Sequence, residues 1–181
     1  MSGSARPDGR FGLMAGRRRL LATAALIVAS ALIAVVAGSC GSGAGDDVQA
    51  TDIEFELLDS GTTTVGAFLD RPVVLNFFAS WCTPCVTEMP ALESIHQQRP
   101  DIAFVGLAVN DTPTRAREIV ADTGVTYATG IDPDSAIGNA YEILGMPTTL
   151  FIAPDGEVVY QHTGGLTFDQ IADHLNTHLT P

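Results

Sequence analysis

Val73–Phe78, VVLNFF, is the stretch that most restricts the fold, because all but one of its residues are apolar and the run has the length of a strand. A strand without polar alternation belongs inside a sheet covered on both faces, so the rest of the chain must supply helices above and below it. Ile102–Val109, IAFVGLAV, is a second strand of that kind. Between the two, the spacing predicts a helix from about Cys82 to Gln98 with Pro90 as an internal kink. Downstream come a helix over about Thr114–Thr123, a short extended piece near Val125–Ala128, and a small helix from about Asp134 to Tyr141 entered through DPDS. Thr148–Ile152 reads as a strand, the APDG turn at Ala153–Gly156 as a hairpin signal, and Glu157–His162 as the returning strand. Thr167 and Gln170 have the spacing of a capping box, which starts a last helix ending near Leu179. Before all of these, Asp52–Leu57 alternates polar and apolar residues and turns at Asp59-Ser60-Gly61 toward Thr62–Val65, an N-terminal antiparallel hairpin. Strands alternating with helices make the domain, residues 51–181, an α/β fold without internal repeats.

The chain has 181 residues, and its apolar share of 46% suits one core. Its basic residues are all arginines, and Arg6, Arg10, Arg17, Arg18 and Arg19 precede the domain. After Cys40 only Arg71, Arg99, Arg115 and Arg117 stand against twenty Asp and Glu. A surface so acidic repels phosphate backbones and anionic lipid heads, which excludes nucleic-acid binding and leaves membrane attachment to a dedicated anchor. Residues 1–40 read as that anchor. Leu20–Ala37 is uncharged, follows Arg17-Arg18-Arg19 directly, and ends in Gly38-Ser39-Cys40. The positive flank keeps the N-terminus in the cytoplasm and sends the domain outside. Small residues followed by Cys resemble a bacterial lipoprotein signal with Cys40 as the lipidated residue, although Ala37 stands where Leu is usual; an uncleaved helix is the alternative. Arg17-Arg18 also resembles a twin-arginine export signal. Residues 41–50, GSGAGDDVQA, read as a flexible linker.

Two of the three cysteines, Cys82 and Cys85, lie where the first central strand turns into the long helix. Thiols at i and i+3 can close a small ring, and the first sits on the unpaired N–H groups of the helix start, which stabilise a thiolate. Cys82 therefore fits the attacking role and Cys85 the resolving one, while Trp81 beside them offers a flat apolar surface to a docking protein. Pro84 costs little in a first turn. A structural staple and a metal site are the competing readings. A ring this small removes little chain entropy, which weakens the staple. Zinc needs about four ligands, and His96, His162, His174 and His178 are not near the pair in sequence, which weakens the metal site. His174 and His178, at i and i+4, read as a helix face without a third ligand.

VVLNFFASWCTPCVTEMP followed by LGMPTTLFIAPDGEVV resembles the TlpA/ResA-type family of membrane-tethered thiol-disulfide oxidoreductases, over about Ile53–Leu179. The resemblance implies a thioredoxin-like fold with the early hairpin, and a helix-strand insertion between Val109 and the strand after Pro147. It implies that Cys82 and Cys85 form the redox disulfide. It further implies that Pro147 is a cis-proline facing them, and that the backbone of Met146 hydrogen-bonds to a substrate peptide. Glu88 matches a family glutamate near the thiols, where a carboxylate would raise a thiol pKa and accept a proton when Cys85 attacks. Asn76 stands where thioredoxins proper have a buried Asp; it cannot titrate and reads as a hydrogen-bonding core residue. Phe78 departs from the family, which often has Trp there.

Neither Thr83 nor Pro84 offers a charge to stabilise the Cys82 thiolate, and Glu88 opposes it, so a moderately reducing protein is expected. By the resemblance its partners are protein disulfides and thiols, apocytochrome c for instance, and a membrane thiol electron donor. A monomer at the extracytoplasmic face of the bacterial cell membrane, with no cofactor and no metal, is the resulting expectation. An oxidant or isomerase, a copper metallochaperone and a redox-silent docking domain are the alternatives.

Overall fold

The computed structural model describes residues 49–179. The anchor, Cys40 and nearly all of the linker lie outside them. Among the described residues no helix is long and apolar enough to cross a membrane.

Seven strands form one sheet: β1 (Glu54–Leu57), β2 (Thr62–Thr64), β3 (Val73–Phe78), β4 (Ala103–Val109), β5 (Ala128–Asp132), β6 (Thr148–Ile152) and β7 (Val158–Thr163). Their order is β2-β1-β5-β4-β3-β6-β7. The central β3, β4 and β5 are parallel, whereas β6 and β7 on one side and β1 and β2 on the other run antiparallel. The helices are α1 (Thr83–Gln98), α2 (Pro113–Thr123), α3 (Ala136–Ala140) and α4 (Phe168–His178).

Every residue of β3 and β4 is buried, as continuous apolar runs require. Alternation along β3 divides the core in two. Val74 and Phe78 join Met89, Leu92 and Ile95 of α1 with Ile171 and Leu175 of α4 on one face. Val73, Leu75 and Phe77 join Val65, Leu150 and Ile137 on the other. Phe78, which replaces the family's Trp, is fully enclosed on the α1 face. α1 runs unbroken through Pro90. The capping box forms as expected: the Thr167 hydroxyl accepts from the Gln170 N–H, and the Gln170 side chain accepts from the Thr167 N–H.

Two of the boundaries that differ from the sequence reading have a tertiary cause. The extended piece expected near Val125–Ala128 begins as a strand only at Ala128 and continues to Asp132. Gly130 and Asp132 look like turn residues, but each has a structural task inside the sheet. Gly130 lies beneath the Phe55 ring of the neighbouring strand, where a Cβ would collide with the ring and come 2.8 Å from the Glu56 carbonyl. Asp132 is buried, and its carboxylate accepts from the N–H groups of Ile137 (3.2 Å) and Gly138 (2.8 Å), so it secures the start of α3 from outside the helix. That bond set explains the second difference: α3 begins at Ala136, because Ser135 is in left-handed backbone (φ 61°) and caps nothing with its side chain.

Candidate active site

Cys82 is the N-cap of α1, and Cys85 lies in its first turn. The two are joined in a disulfide. The Cys85 N–H also points at Cys82 Sγ (3.3 Å), the donor placement that would stabilise a thiolate there. Cys82 keeps 6% of its surface exposed and Cys85 none. Of the two sulfur-bearing residues, only Cys82 is open to an incoming group.

The approach to Cys82 is held by the loop after β4. Asp111 accepts from the Ser80 N–H (2.6 Å) and hydroxyl (3.1 Å). Asn110, in left-handed backbone (φ 50°), presents its carbonyl to Trp81 Nε1 at 3.3 Å. Trp81 is thus anchored at its nitrogen yet 58% exposed, and it offers an indole surface beside the reactive sulfur. Nothing in the sequence reading singled out Asn110 or Asp111; the VND that follows an apolar strand reads simply as a turn.

The Met146–Pro147 peptide is cis. β3 and β6 pair Phe77 with Thr148, so Pro147 sits beside the end of β3 from which the chain enters the cysteine loop. The β7–α4 loop spans the gap: the Gly164 N–H donates to the Pro147 carbonyl (2.9 Å), and Gly165 lies against Pro84. Pro147 is buried and Met146 half-buried at this edge.

Glu88 lies one turn beyond Cys85 on the same buried face of α1 and is only 2% exposed. Burial pushes its pKa from 4.5 up to about 7; the Thr149 hydroxyl and the nearby Leu166 N–H pull it back less strongly. Its Oε1 accepts from the Thr149 hydroxyl at 3.3 Å, while Oε2 is buried without a hydrogen-bond partner among the described residues. Asn76 is the hydrogen-bonding core residue expected, donating from Nδ2 to Thr149 Oγ1 at 2.9 Å. Thr149 was missed by the sequence reading. The available signal was a pair of threonines, Thr148 and Thr149, opening an otherwise apolar strand.

The histidines stay away from the cysteine loop. His96 packs edge-on against Phe104 and Tyr127. His174 and His178 pack on Tyr160, with His178 stacked on its ring at 4.3 Å, and His162 lies beside His174. Burial, and then the neighbouring His162 and His178, hold the His174 pKa below its ordinary value. Among the described residues no group of His, Cys, Asp and Glu is arranged to hold a metal ion.

A dithiol site at a helix entrance, beside a cis-proline on the adjoining strand of a mixed sheet, defines a class: thioredoxin-like protein-disulfide oxidoreductases of TlpA/ResA type. Comparison with known proteins agrees. The Redoxin family model matches residues 44–175, and the chain belongs to that family. Thiol-disulfide oxidoreductase ResA of Oceanobacillus iheyensis is 30% identical over 74% of this chain and 70% of its own length. Thiol:disulfide interchange protein HelX of Rhodobacter capsulatus is 33% identical over 57% of this chain and 58% of its own. Among solved structures, dsbF of MTB superposes with a TM-score of 0.68 at 25% identity, covering 73% of this chain and 98% of that one.

Proposed function

We propose that this oxidoreductase reduces selected protein disulfides outside the cytoplasm, while held at the membrane as a monomer through its N-terminal segment, with Cys40 as the lipidated residue. The observation that carries the reading is the pairing of a reachable Cys82 with an enclosed Cys85, one turn from a buried carboxyl poised near neutral pH. Apocytochrome c is the substrate class implied by the family resemblance. A membrane thiol carrier is the implied electron donor.

In the reducing direction the Cys82 thiolate attacks one sulfur of the substrate disulfide. A bond forms between Cys82 and that sulfur, and the other substrate sulfur leaves as a thiolate that takes a proton from water. Cys85 then gives its proton to Glu88 and attacks Cys82 Sγ. The Cys82–Cys85 bond forms as the bond to the substrate breaks, and two electrons have passed to the substrate. The donor dithiol restores the cysteine pair by the same exchange in reverse, and Glu88 returns its proton. Trp81 and the Met146 backbone receive the substrate chain.

The reducing direction is supported by what stabilises the Cys82 thiolate. The helix start and the Cys85 N–H do so. With no charge on Thr83 or Pro84 and with Glu88 opposing the thiolate, the reduced form is only moderately favoured, which supports a reductant rather than a strong oxidant. The test is reduction of insulin disulfides by the reduced protein, followed by trapping with Cys85→Ser. The Cys85→Ser protein should accumulate a mixed disulfide on Cys82, and Cys82→Ser should be inactive. Activity surviving in Cys82→Ser would overturn the mechanism, and a measured potential close to that of strong oxidants would overturn the direction.

A further inference from the structure

A threonine hydroxyl has one proton to give and two lone pairs to receive with. At Thr149 the surroundings decide where that proton goes. Asn76 Nδ2 can only donate, and at 2.9 Å it occupies one lone pair of Oγ1. The remaining neighbour is Glu88 Oε1 at 3.3 Å, so the hydroxyl proton points there. Pairing of Asn76 with Thr149 across β3 and β6 holds the two in register, and all three side chains are buried where no water competes. An Asp at position 76 would be an acceptor and would draw the same proton away from Glu88.

We propose that Thr149, oriented by Asn76, is a positioning residue for Glu88, fixing Oε1 as the permanent acceptor and leaving Oε2 as the oxygen that takes and returns the proton of Cys85. The assignment rests on the proton-accepting role given to Glu88 above. Two observations agree with it. Oε2 is the buried oxygen without a hydrogen-bond partner among the described residues, which leaves it open to a proton from Cys85. Thr149 also stands two residues after the cis-proline, so the strand that flanks the docking edge also sets the carboxyl. Few other groups reach Glu88. Cys85 lies one turn before it on its own helix, the Tyr127 phenol approaches from the start of β5, and the backbone of Leu166 from the β7–α4 loop. Burial raises the Tyr127 pKa, so it stays neutral throughout the range in which Glu88 titrates.

The experiment is single-turnover reaction of the reduced full-length protein with dithiobis-nitrobenzoate, read by absorbance from pH 5 to 9. Cys82 attack releases the first thionitrobenzoate, and Cys85 attack on the resulting mixed disulfide releases the second. The second phase should rise with pH through an inflection near that of Glu88. Loss of one hydrogen bond to a charged carboxylate moves such an inflection by about one pH unit. Thr149→Val should therefore shift the inflection to higher pH by about that much, and Thr149→Ser, which keeps the hydroxyl, should restore it. A defect confined to packing would scale the rates at every pH and leave the inflection in place; that result, with Glu88→Gln lacking the inflection, would overturn the role of Thr149 and leave that of Glu88 intact. An inflection that persists in Glu88→Gln would overturn both. Should Thr149→Val fail to fold, Thr149→Ala removes the same hydroxyl and carries the same two outcomes.

Discussion

Glu88 makes the folded protein sensitive to pH in a direction opposite to that of most carboxylates, and Glu88→Gln exposes it. In the unfolded chain this carboxyl titrates at about its ordinary 4.5, and in the folded, oxidised protein at about 7. Between those values the folded state holds a proton that the unfolded state has lost, so stability falls as pH rises. The stabilisation is fully present below 4.5 and gone above the folded value. At 1.36 kcal/mol per pKa unit, the span amounts to about 3 kcal/mol. Glutamine keeps the size and an acceptor for Thr149 but does not titrate. The stability of Glu88→Gln relative to wild type should therefore rise by about 3 kcal/mol between pH 4 and 8, with the change confined to the interval between the two pKa values. Other ionisable groups act in both proteins and cancel in the difference. Urea unfolding of the oxidised proteins at half-unit steps of pH measures it. A difference that stays constant across that range would refute the placement of Glu88 as a buried carboxyl with a raised pKa.

Three other substitutions test the parts that present and support the site. Trp81→Ala removes an exposed ring anchored to Asn110, and should lower kcat/KM for insulin by about tenfold while changing the rate with dithiobis-nitrobenzoate less than twofold; equal losses with both would mean that the indole shapes the thiol rather than the dock. Gly130→Ala drives a methyl into Phe55, so urea unfolding should show a loss of about 1–3 kcal/mol, and an unchanged midpoint would contradict the contact. Asp132→Ala strands the Ile137 and Gly138 N–H groups and should cost about 2 kcal/mol in the same assay with thiol kinetics unaltered; wild-type stability would remove Asp132 from its role at α3.

What could be read from the chain beforehand, and what could not, divides along the range of the interactions. The apolar runs of β3 and β4, the hairpin of β1 and β2, and the capping box at Thr167 are local patterns, and each forms close to where the spacing places it. Cys85 and Glu88 share one helix face by spacing alone, and Cys82 falls at the helix entrance. β5 was displaced because Gly130 and Asp132 carry turn signals locally, while their actual tasks depend on Phe55 and on α3, which no local pattern reveals. The same reason hid Thr149. Its partners lie 73 and 61 residues away along the chain, on β3 and α1, and only the pairing of β3 with β6 brings them together. His162 was likewise separate from His174 and His178 until β7 lay beside α4.

The long-range contacts that sequence patterns miss are also those that tie thiol chemistry to the sheet. Cys85 and Glu88 are fixed relative to each other by the helix, but a helix alone cannot say which carboxyl oxygen is free. That information comes from β6, through Thr149, and from β3, through Asn76. The two strands also frame the edge proposed for docking, because β6 follows the cis-proline and β3 leads into Trp81 and Cys82. A substrate chain settling beside Met146 and Pro147 would press on the strand that orients the proton acceptor. Binding and resolution thus share one element, and a change in β6 that shifts Thr149 by less than an ångström would be felt in the pH dependence of Cys85 attack before it was felt in the affinity for substrate.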